Sequence, residues 1–179
     1  MKSSALATFA SGCFWCTEAV FKRLRGVLKV GSGYTGGTTE HPNYAALHQS
    51  RTGHAEAVQV EFDPSVIPYE RLLDVFFATH DPTTLNRQGN DIGEEYRSVI
   101  FYHSEEQKAA AEGMIQKLEQ EKVFANPIVT SIEPAQKFYP AEAEHQDFYD
   151  RNPNKPYCQI VIDPKIAKLR QKFAEYLKD

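Results

Sequence analysis

GCFWCTE, residues 12–18, lies between an apolar run over residues 5–10 and an amphipathic run over residues 18–25. This order predicts a strand, a turn at Ser11-Gly12 and then a helix. Cys13 is therefore expected at a helix N-terminus, where free backbone N–H groups favour negative charge. A thiol there is expected to ionise below its ordinary pKa of about 8.5, which makes Cys13 a candidate nucleophile.

The neighbours of Cys13 leave several chemistries open. Cys16 follows three residues later, on the same helix face, and could form a disulfide with Cys13. Phe14 and Trp15 suit a small apolar or sulfur-bearing group. The alternatives are a buried structural cysteine, a thiol–disulfide oxidoreductase using Cys13 and Cys16, and a zinc-stabilised binding module. Bulky rings between the cysteines count against the oxidoreductase, and the lack of a second closely spaced Cys or His pair counts against zinc.

Composition narrows the class of protein. The chain has 179 residues, a net charge of −4 and scattered basic residues, which argues against nucleic acid or an anionic membrane as a partner. It contains no apolar run of about 18 residues, and its N-terminus lacks the apolar core of a signal peptide. Three cysteines do not make a secreted disulfide framework. We therefore expect one cytoplasmic domain over residues 1–179.

Hydrophobic periodicity predicts alternating short strands and helices. Their irregular order favours an α+β fold, a two-layer α/β sandwich. The region 81–95 has no periodicity and is expected to be a long functional loop. Strands are expected at residues 6–10, 27–30, 56–62, 97–102 and 128–132, and helices at residues 18–25, 68–79, 105–122, about 144–149 and 166–177.

Glu56 has the parity of the apolar residues of its predicted strand, Val58, Val60 and Phe62. Its carboxyl is then expected to point into the apolar side, where burial raises the pKa and keeps a general acid protonated. If the strand begins at Ala57, Glu56 is instead solvated. The residues alone do not decide between these two interpretations.

Residues 31–36 formally match the dinucleotide-binding glycine pattern, but the turn-like residues 38–42 follow in place of a helix. We therefore reject a Rossmann site. The glycines are expected to let the backbone pass close beneath Cys13.

A wider set of motifs carries a resemblance to a known family. GCFW and Glu18 resemble the signature of the A-type peptide methionine sulfoxide reductases. Seven further motifs of this family follow in order: GYTGG (33–37), TGHAE (52–56), HDPT (80–83), NRQGND (86–91), YRS (96–98), FYPAE (138–142) and HQ (145–146). The resemblance implies a ferredoxin-like α/β plait with additional helices and long loops. It also implies reduction of methionine S-sulfoxide, free or in proteins, as a repair of oxidative damage.

The resemblance also implies a role for individual residues. Cys13 attacks the sulfoxide sulfur, Glu56 delivers a proton, and Cys13 is left as a sulfenic acid. Phe14 and Trp15 form the pocket for the substrate methyl group. Tyr44 and Tyr96 match the tyrosines that hydrogen-bond the sulfoxide oxygen, and Asp91 matches an aspartate held nearby. No metal or bound cofactor is implied. The implied reductant is thioredoxin, or dithiothreitol in vitro, and the protein is expected to be a monomer.

Recycling of Cys13 is where the chain departs from the family pattern. Cys16 stands where the commoner motif has glycine, and His48 stands where many members have cysteine. Ala143-Glu144 replaces the usual acidic-aromatic pair. The thiol that attacks the sulfenic acid is therefore Cys16, Cys158 or an external thiol. Cys16 is preferred because it is close in sequence, and Cys158 follows a Pro-containing loop that could approach.

Overall fold

The computed structural model describes residues 3–49 and 51–178. Met1, Lys2, Ser50 and Asp179, which the predicted domain includes, lie outside the described residues. The strands are β1 (Ala5–Ser11), β2 (Val27–Thr35), β3 (Ala55–Phe62), β4 (Arg87–Gln88), β5 (Asp91–Ile92), β6 (Ser98–Tyr102), β7 (Ser131–Pro134) and β8 (Tyr139–Pro140). The α-helices are α1 (Phe14–Phe21), α2 (Tyr44–Gln49), α3 (Tyr69–Ala78), α4 (Glu105–Gln120), α5 (Phe148–Arg151) and α6 (Asp163–Phe173).

Six of these strands form one mixed sheet in the order β7-β6-β1-β3-β2-β8, and β4 and β5 form a separate hairpin. The pairs β1–β3, β1–β6, β2–β3 and β2–β8 are antiparallel, whereas β7 runs parallel to β6. The most central strands, β1 and β3, are therefore each paired on both edges. Glu56 lies opposite Tyr34 of β2 in this register.

The main core lies between one sheet face and the helices. Phe9 of β1 stacks on Phe21 of α1 at 5.0 Å and on Phe76 of α3 at 5.2 Å between ring centroids. Val58 and Val60 belong to this core, while Ala55 and Ala57 pack in a smaller cluster on the other face. Because side chains alternate along a strand, Glu56 points to the helix-covered face, as its parity predicts.

The first helix and the strand at residues 128–132 were predicted at the wrong positions. The helix begins at Phe14 and ends at Phe21, not at 18–25, because its start is fixed by a tertiary contact of the Phe14 N–H. The strand lies three residues later, at Ser131–Pro134, where Ser131 pairs with Val99. Local periodicity predicts neither the contact of the Phe14 N–H with Glu56 nor the pairing of Ser131 with Val99.

The C-terminal third differs most from prediction. A 3-10 turn at Ala143–His145 and α5 replace the helix predicted at about 144–149, since Asp147 adopts a left-handed φ of 53° between them. A π-helical turn, Cys158–Ile162, leads into α6, so the last helix starts before residue 166. The predicted loop at 81–95 contains the β4–β5 hairpin.

The prediction for the glycine run is also wrong. Residues 31–35 of this run continue β2, and the neighbours that exclude a Cβ at Gly33 are Phe138 and the carbonyl of Tyr139, not Cys13. The glycine that shapes the turn before Cys13 is Gly12, which has a φ of +96° and lies against Gln88. Within the described residues, no helix combines the length and apolarity needed to span a bilayer.

Candidate active site

Cys13 is the N-cap residue of α1, as the sequence predicts. Its carbonyl accepts hydrogen bonds from the backbone N–H groups of Cys16 at 3.1 Å and Thr17 at 3.4 Å. The residue is 8 % exposed. The first turn of α1 therefore holds Cys13 at a position where little of the residue is exposed to solvent.

Glu56 lies directly against this helix start. Its Oε1 accepts a hydrogen bond from the Phe14 N–H at 3.1 Å, and its Oε2 lies 3.2 Å from His48 Nε2. The residue is 1 % exposed, so the inward-pointing interpretation is correct and the solvated one is wrong. Burial raises the pKa of Glu56, and the contacts with His48 and Phe14 oppose that rise only in part. The site therefore favours a protonated carboxyl.

The pKa values of the two thiols in this turn, Cys13 and Cys16, differ from the prediction. Burial raises the pKa of Cys13, and its interactions with Cys16 and Glu56 raise that pKa further. The pKa of Cys16 is lowered, chiefly by a hydrogen bond with Cys13 and then by Lys165 and the Tyr157 hydroxyl. The expectation of a readily ionised Cys13 is wrong because burial outweighs the backbone N–H of Trp15. Within this pair, the Cys16 thiol therefore ionises more readily than the Cys13 thiol.

Tyr44 and Tyr96 lie around Glu56. The Tyr44 ring packs on His48 at 4.3 Å and on His145 at 4.4 Å between centroids, and the Tyr96 hydroxyl lies 3.5 Å from His48 Nδ1. Burial and then the charge of Glu56 raise the pKa of Tyr44 to about 12 and that of Tyr96 further. Both phenols are therefore neutral hydrogen-bond donors at physiological pH.

Asp91 is linked to Cys16 through the Tyr157 hydroxyl. Its Oδ2 accepts a hydrogen bond of 2.7 Å from the Tyr157 hydroxyl, whose oxygen also lies 3.6 Å from Cys16 Sγ. Its charge contributes to the raised pKa of Glu56. Tyr157 was missed by the sequence reasoning, and its position beside Cys158 was the signal available.

Phe14 and Trp15 occupy different environments. Phe14 is fully buried against Tyr34 and His145. Trp15 is partly exposed, stacks on Phe148 at 3.7 Å and 6°, and donates from Nε1 to His145 Nδ1 at 3.2 Å. The exposed aromatic surface at the helix start is therefore that of Trp15, with Phe14 behind it.

Cys158 is fully buried in the π-helical turn, and all three cysteines are free thiols. Burial raises its pKa, and the charge of Cys16 raises it further. Cys158 therefore lies within electrostatic range of Cys16 and is closed to solvent in this conformation.

A zinc site built on Cys13 and Cys16 finds no partners. Within residues 3–49 and 51–178, the group of side chains close enough to share a metal is Glu142, Glu144 and His145, which includes neither cysteine. Glu142 already accepts hydrogen bonds from the Tyr34 hydroxyl at 2.9 Å and the Tyr44 N–H at 3.2 Å. His145 accepts from Trp15. These contacts are those of a structural cluster.

A nucleophile candidate and a second thiol of lowered pKa share one turn, and a buried acid is hydrogen-bonded to that turn. This arrangement defines a thiol-dependent reductase that protonates the oxygen it removes. The family model of peptide methionine sulfoxide reductases matches residues 5–177. The chain belongs to this family, whose members reduce methionine sulfoxide.

Individual relatives are similar to this chain in sequence or structure over most of its length. The peptide methionine sulfoxide reductase MsrA of Deinococcus radiodurans is 58 % identical over 172 residues, 96 % of this chain and 84 % of the relative. Reduced Mxr1 from Saccharomyces cerevisiae has a TM-score of 0.79 at 36 % identity, covering 87 % of this chain and 89 % of that one. Mxr1 in complex with Trx2 matches with a TM-score of 0.56 at 30 % identity, covering 81 % and 84 %.

Proposed function

We propose that this enzyme reduces methionine S-sulfoxide with Cys13 as the nucleophile and Glu56 as the proton donor. The observation that carries the proposal is the 3.1 Å hydrogen bond from the Phe14 N–H to Glu56 Oε1. It fixes the acid beside the residue that follows the nucleophile. A sulfoxide becomes a good electrophile when its oxygen is protonated, so an acid and a thiolate at one place are what the reaction requires.

The first step uses the proton held between the two thiols. The Cys13 thiol passes its proton to the Cys16 thiolate, and the new Cys13 thiolate attacks the sulfoxide sulfur. Glu56 protonates the oxygen, which passes to Cys13 as the sulfur–oxygen bond of the substrate breaks. The products are methionine, a Cys13 sulfenic acid and an ionised Glu56. Cys16 thus serves as the base that activates Cys13.

The substrate is bound between aromatic side chains and phenol hydroxyls. Trp15, backed by Phe14, offers an apolar surface for the methyl group bonded to sulfur. Tyr44 and Tyr96 donate hydrogen bonds to the sulfoxide oxygen, which their raised pKa values allow at neutral pH. Asp91 acts through Tyr157, whose hydroxyl it orients toward Cys16.

Cys16 is the resolving thiol that we propose. It already hydrogen-bonds Cys13, and after the first step it carries the proton needed to release water. Attack of Cys16 sulfur on the sulfenic acid forms the Cys13–Cys16 disulfide and expels one water molecule. Cys158 is fully buried and would need the π-helical turn to open before it reached Cys13.

A dithiol protein of the thioredoxin class then reduces the disulfide. The support is the matched structure of Mxr1 in complex with Trx2. Dithiothreitol would replace this partner in vitro, and no bound metal or cofactor enters the scheme. A reducing compartment supplies such a partner, so we place the enzyme in the cytoplasm, where it repairs oxidised proteins and reduces free methionine sulfoxide.

We further infer that residues 1–179 form one monomeric catalytic domain with a ferredoxin-like plait. The support is the strand and helix order β1-α1-β2-β3-α3-β6 together with the sheet order β6-β1-β3-β2. The other strands and helices are additions to that unit. Light scattering measures the oligomeric state directly.

The test is a thiol and product count without added reductant. Reduced parent enzyme is mixed with methionine sulfoxide, and methionine formed and thiols lost are counted per chain for the parent, Cys13→Ser, Cys16→Ser and Cys158→Ser. The parent should form one methionine and lose two thiols. Cys13→Ser should form none, and Cys158→Ser should match the parent.

Cys16→Ser distinguishes the formation of methionine from the formation of the disulfide. It should still form methionine, more slowly because the activating base is gone, but should form no internal disulfide. A parent that forms no methionine would overturn the reductase proposal. A disulfide that persists in Cys16→Ser and disappears in Cys158→Ser would make Cys158 the resolving thiol.

A further inference from the structure

His48 connects the buried acid with the protein surface. The Glu56 side chain is 1 % exposed, whereas that of His48 is 24 % exposed, and Nε2 lies 3.2 Å from Glu56 Oε2. The other carboxylate oxygen, Oε1, is occupied by the Phe14 N–H. Oε2 is therefore the oxygen that can exchange a proton, and its neighbour is an imidazole.

The second nitrogen of His48 faces two oxygen atoms. Nδ1 lies 3.5 Å from Glu95 Oε1 and 3.5 Å from the Tyr96 hydroxyl. The Glu95 side chain is 15 % exposed, and His48 and Glu95 both line an open cavity of about 740 Å³. An acceptor at Nδ1 holds a proton there and leaves the Nε2 lone pair for the acid proton of Glu56.

We propose that His48 is the proton relay that returns Glu56 to its acid form after each reduction. The proposal rests on the function proposed above, in which Glu56 ends the first step as a carboxylate. A proton from solvent first converts neutral His48, whose own proton is on Nδ1, into the imidazolium, which then passes its Nε2 proton to Glu56 Oε2 and is neutral again. One proton enters at Glu56 for each sulfoxide oxygen that leaves as water, and one leaves when the reduced Cys16 thiol ionises again, so the cycle balances. His48 itself does not touch the substrate in this scheme.

Other titratable groups surround the pair and set its proton affinity. Around Glu56 they come from the N-cap of α1, α2, β2, β5 and the turn before β6, and around His48 from α2 and that same turn. Those facing Glu56 are Cys13, Tyr34, Tyr44, Asp91 and Tyr96, and those facing His48 are Tyr44, Glu95 and Tyr96.

These charges act to keep one proton on the pair. Burial raises the pKa of Glu56, and the hydrogen bond with Glu56 raises the pKa of His48. Two groups that share a proton lose it at a pH above that of either group alone. The proton therefore stays on the pair, whereas the contact with His48 by itself lowers the pKa of Glu56, so His48 contributes by supplying the proton.

The decisive measurement is the pH profile of the multiple-turnover rate of methionine formation with excess dithiothreitol, because Glu56 must regain its proton between turnovers. His48→Gln keeps a side-chain donor toward Glu56 but does not titrate, and His41→Gln is the matched control at an exposed histidine that contacts Tyr139. At about pH 5.5 the His48→Gln rate should stay within about twofold of the parent, and at about pH 8.5 it should fall by about tenfold or more. His41→Gln should follow the parent at both values.

Imidazole provides the second readout. In His48→Ala the space left by the ring admits free imidazole, which should restore the rate at high pH and saturate, whereas His48→Gln should not respond. An unchanged profile in His48→Gln, an equal loss at every pH, or no rescue of His48→Ala would each overturn the relay. The parent's yield of one methionine per chain tests the reductase function separately, because that yield does not depend on His48.

Discussion

Glu18 Oε1 accepts a hydrogen bond of 2.8 Å from the backbone N–H of Asp147, a residue 129 positions away in the chain. Its other oxygen, Oε2, accepts from the Ser32 hydroxyl at 3.0 Å. Glu18 is 2 % exposed and therefore joins α1, β2 and the start of α5 from inside the fold. The segment it anchors contains His145 and Phe148, two of the residues that contact the Trp15 ring.

Removal of this anchor should destabilise the fold. Glu18→Ala leaves the Asp147 N–H and the Ser32 hydroxyl without their acceptor, and we expect a loss of about 1–3 kcal/mol in the free energy of unfolding. Urea denaturation measures the change. Glu112→Ala, at an exposed position of α4, is the control and should stay within about 0.5 kcal/mol of the parent. A Glu18→Ala loss no larger than that of the control would refute the anchoring role.

The pH dependence of stability should identify the charge state of Glu18. Burial raises its pKa, so the folded state binds the proton more tightly than the unfolded state does. The parent then loses stability as the pH rises through the ordinary glutamate value of about 4.3 toward the folded value. Glu18→Gln does not titrate, so its stability relative to the parent should rise over that window and then level off. A relative stability that falls over the same window would mean that the folded pKa is depressed.

Glu56→Gln should show how much the acid contributes to the rate of methionine formation, independently of the thiols. The amide can still accept the Phe14 N–H but carries no acidic proton, so single-turnover methionine formation should fall by about 10²- to 10⁴-fold. The thiol count and the unfolding midpoint should stay near those of the parent. Glu61→Gln, on the same strand at a partly exposed position, is the matched control. A Glu56→Gln rate within a few-fold of the parent would remove Glu56 from the proton-donor role.

The thiol pair should give an asymmetric titration. Cys16 should ionise below the ordinary cysteine value of about 8.5, because Cys13 hydrogen-bonds its sulfur. Ultraviolet thiolate absorbance followed against pH should show this step in the parent and lose it in Cys16→Ser. In Cys13→Ala the hydrogen bond is gone, so the step should move to higher pH. A low-pH step that survives in Cys16→Ser would assign the thiolate to Cys13 instead.

The strand parity of Glu56 and the position of Cys13 at a helix start were predictable, because both follow from periodicity and turn residues over a few positions. The ionisation of Cys13 was not, since burial depends on segments far away in sequence, and here burial outweighs the helix N-terminus. Tyr157 and the contact between His48 and Glu56 were missed for the same reason. Each is made by a short irregular segment whose path is set by tertiary hydrogen bonds such as those of Glu18.

Trp15 should determine substrate affinity more than the chemical step. Its ring stacks on Phe148, and its Nε1 donates to His145 Nδ1. Trp15→Phe keeps an apolar ring and loses the hydrogen bond, so the KM for a methionine sulfoxide peptide should rise by less than about tenfold. Trp15→Ala removes the apolar surface for the methyl group, so KM should rise by about 10- to 100-fold, the equivalent of about 1.5–3 kcal/mol. Steady-state rates against peptide concentration, with excess dithiothreitol, give both constants. If kcat fell in Trp15→Ala while KM stayed unchanged, the indole would act in the transition state and not in substrate binding.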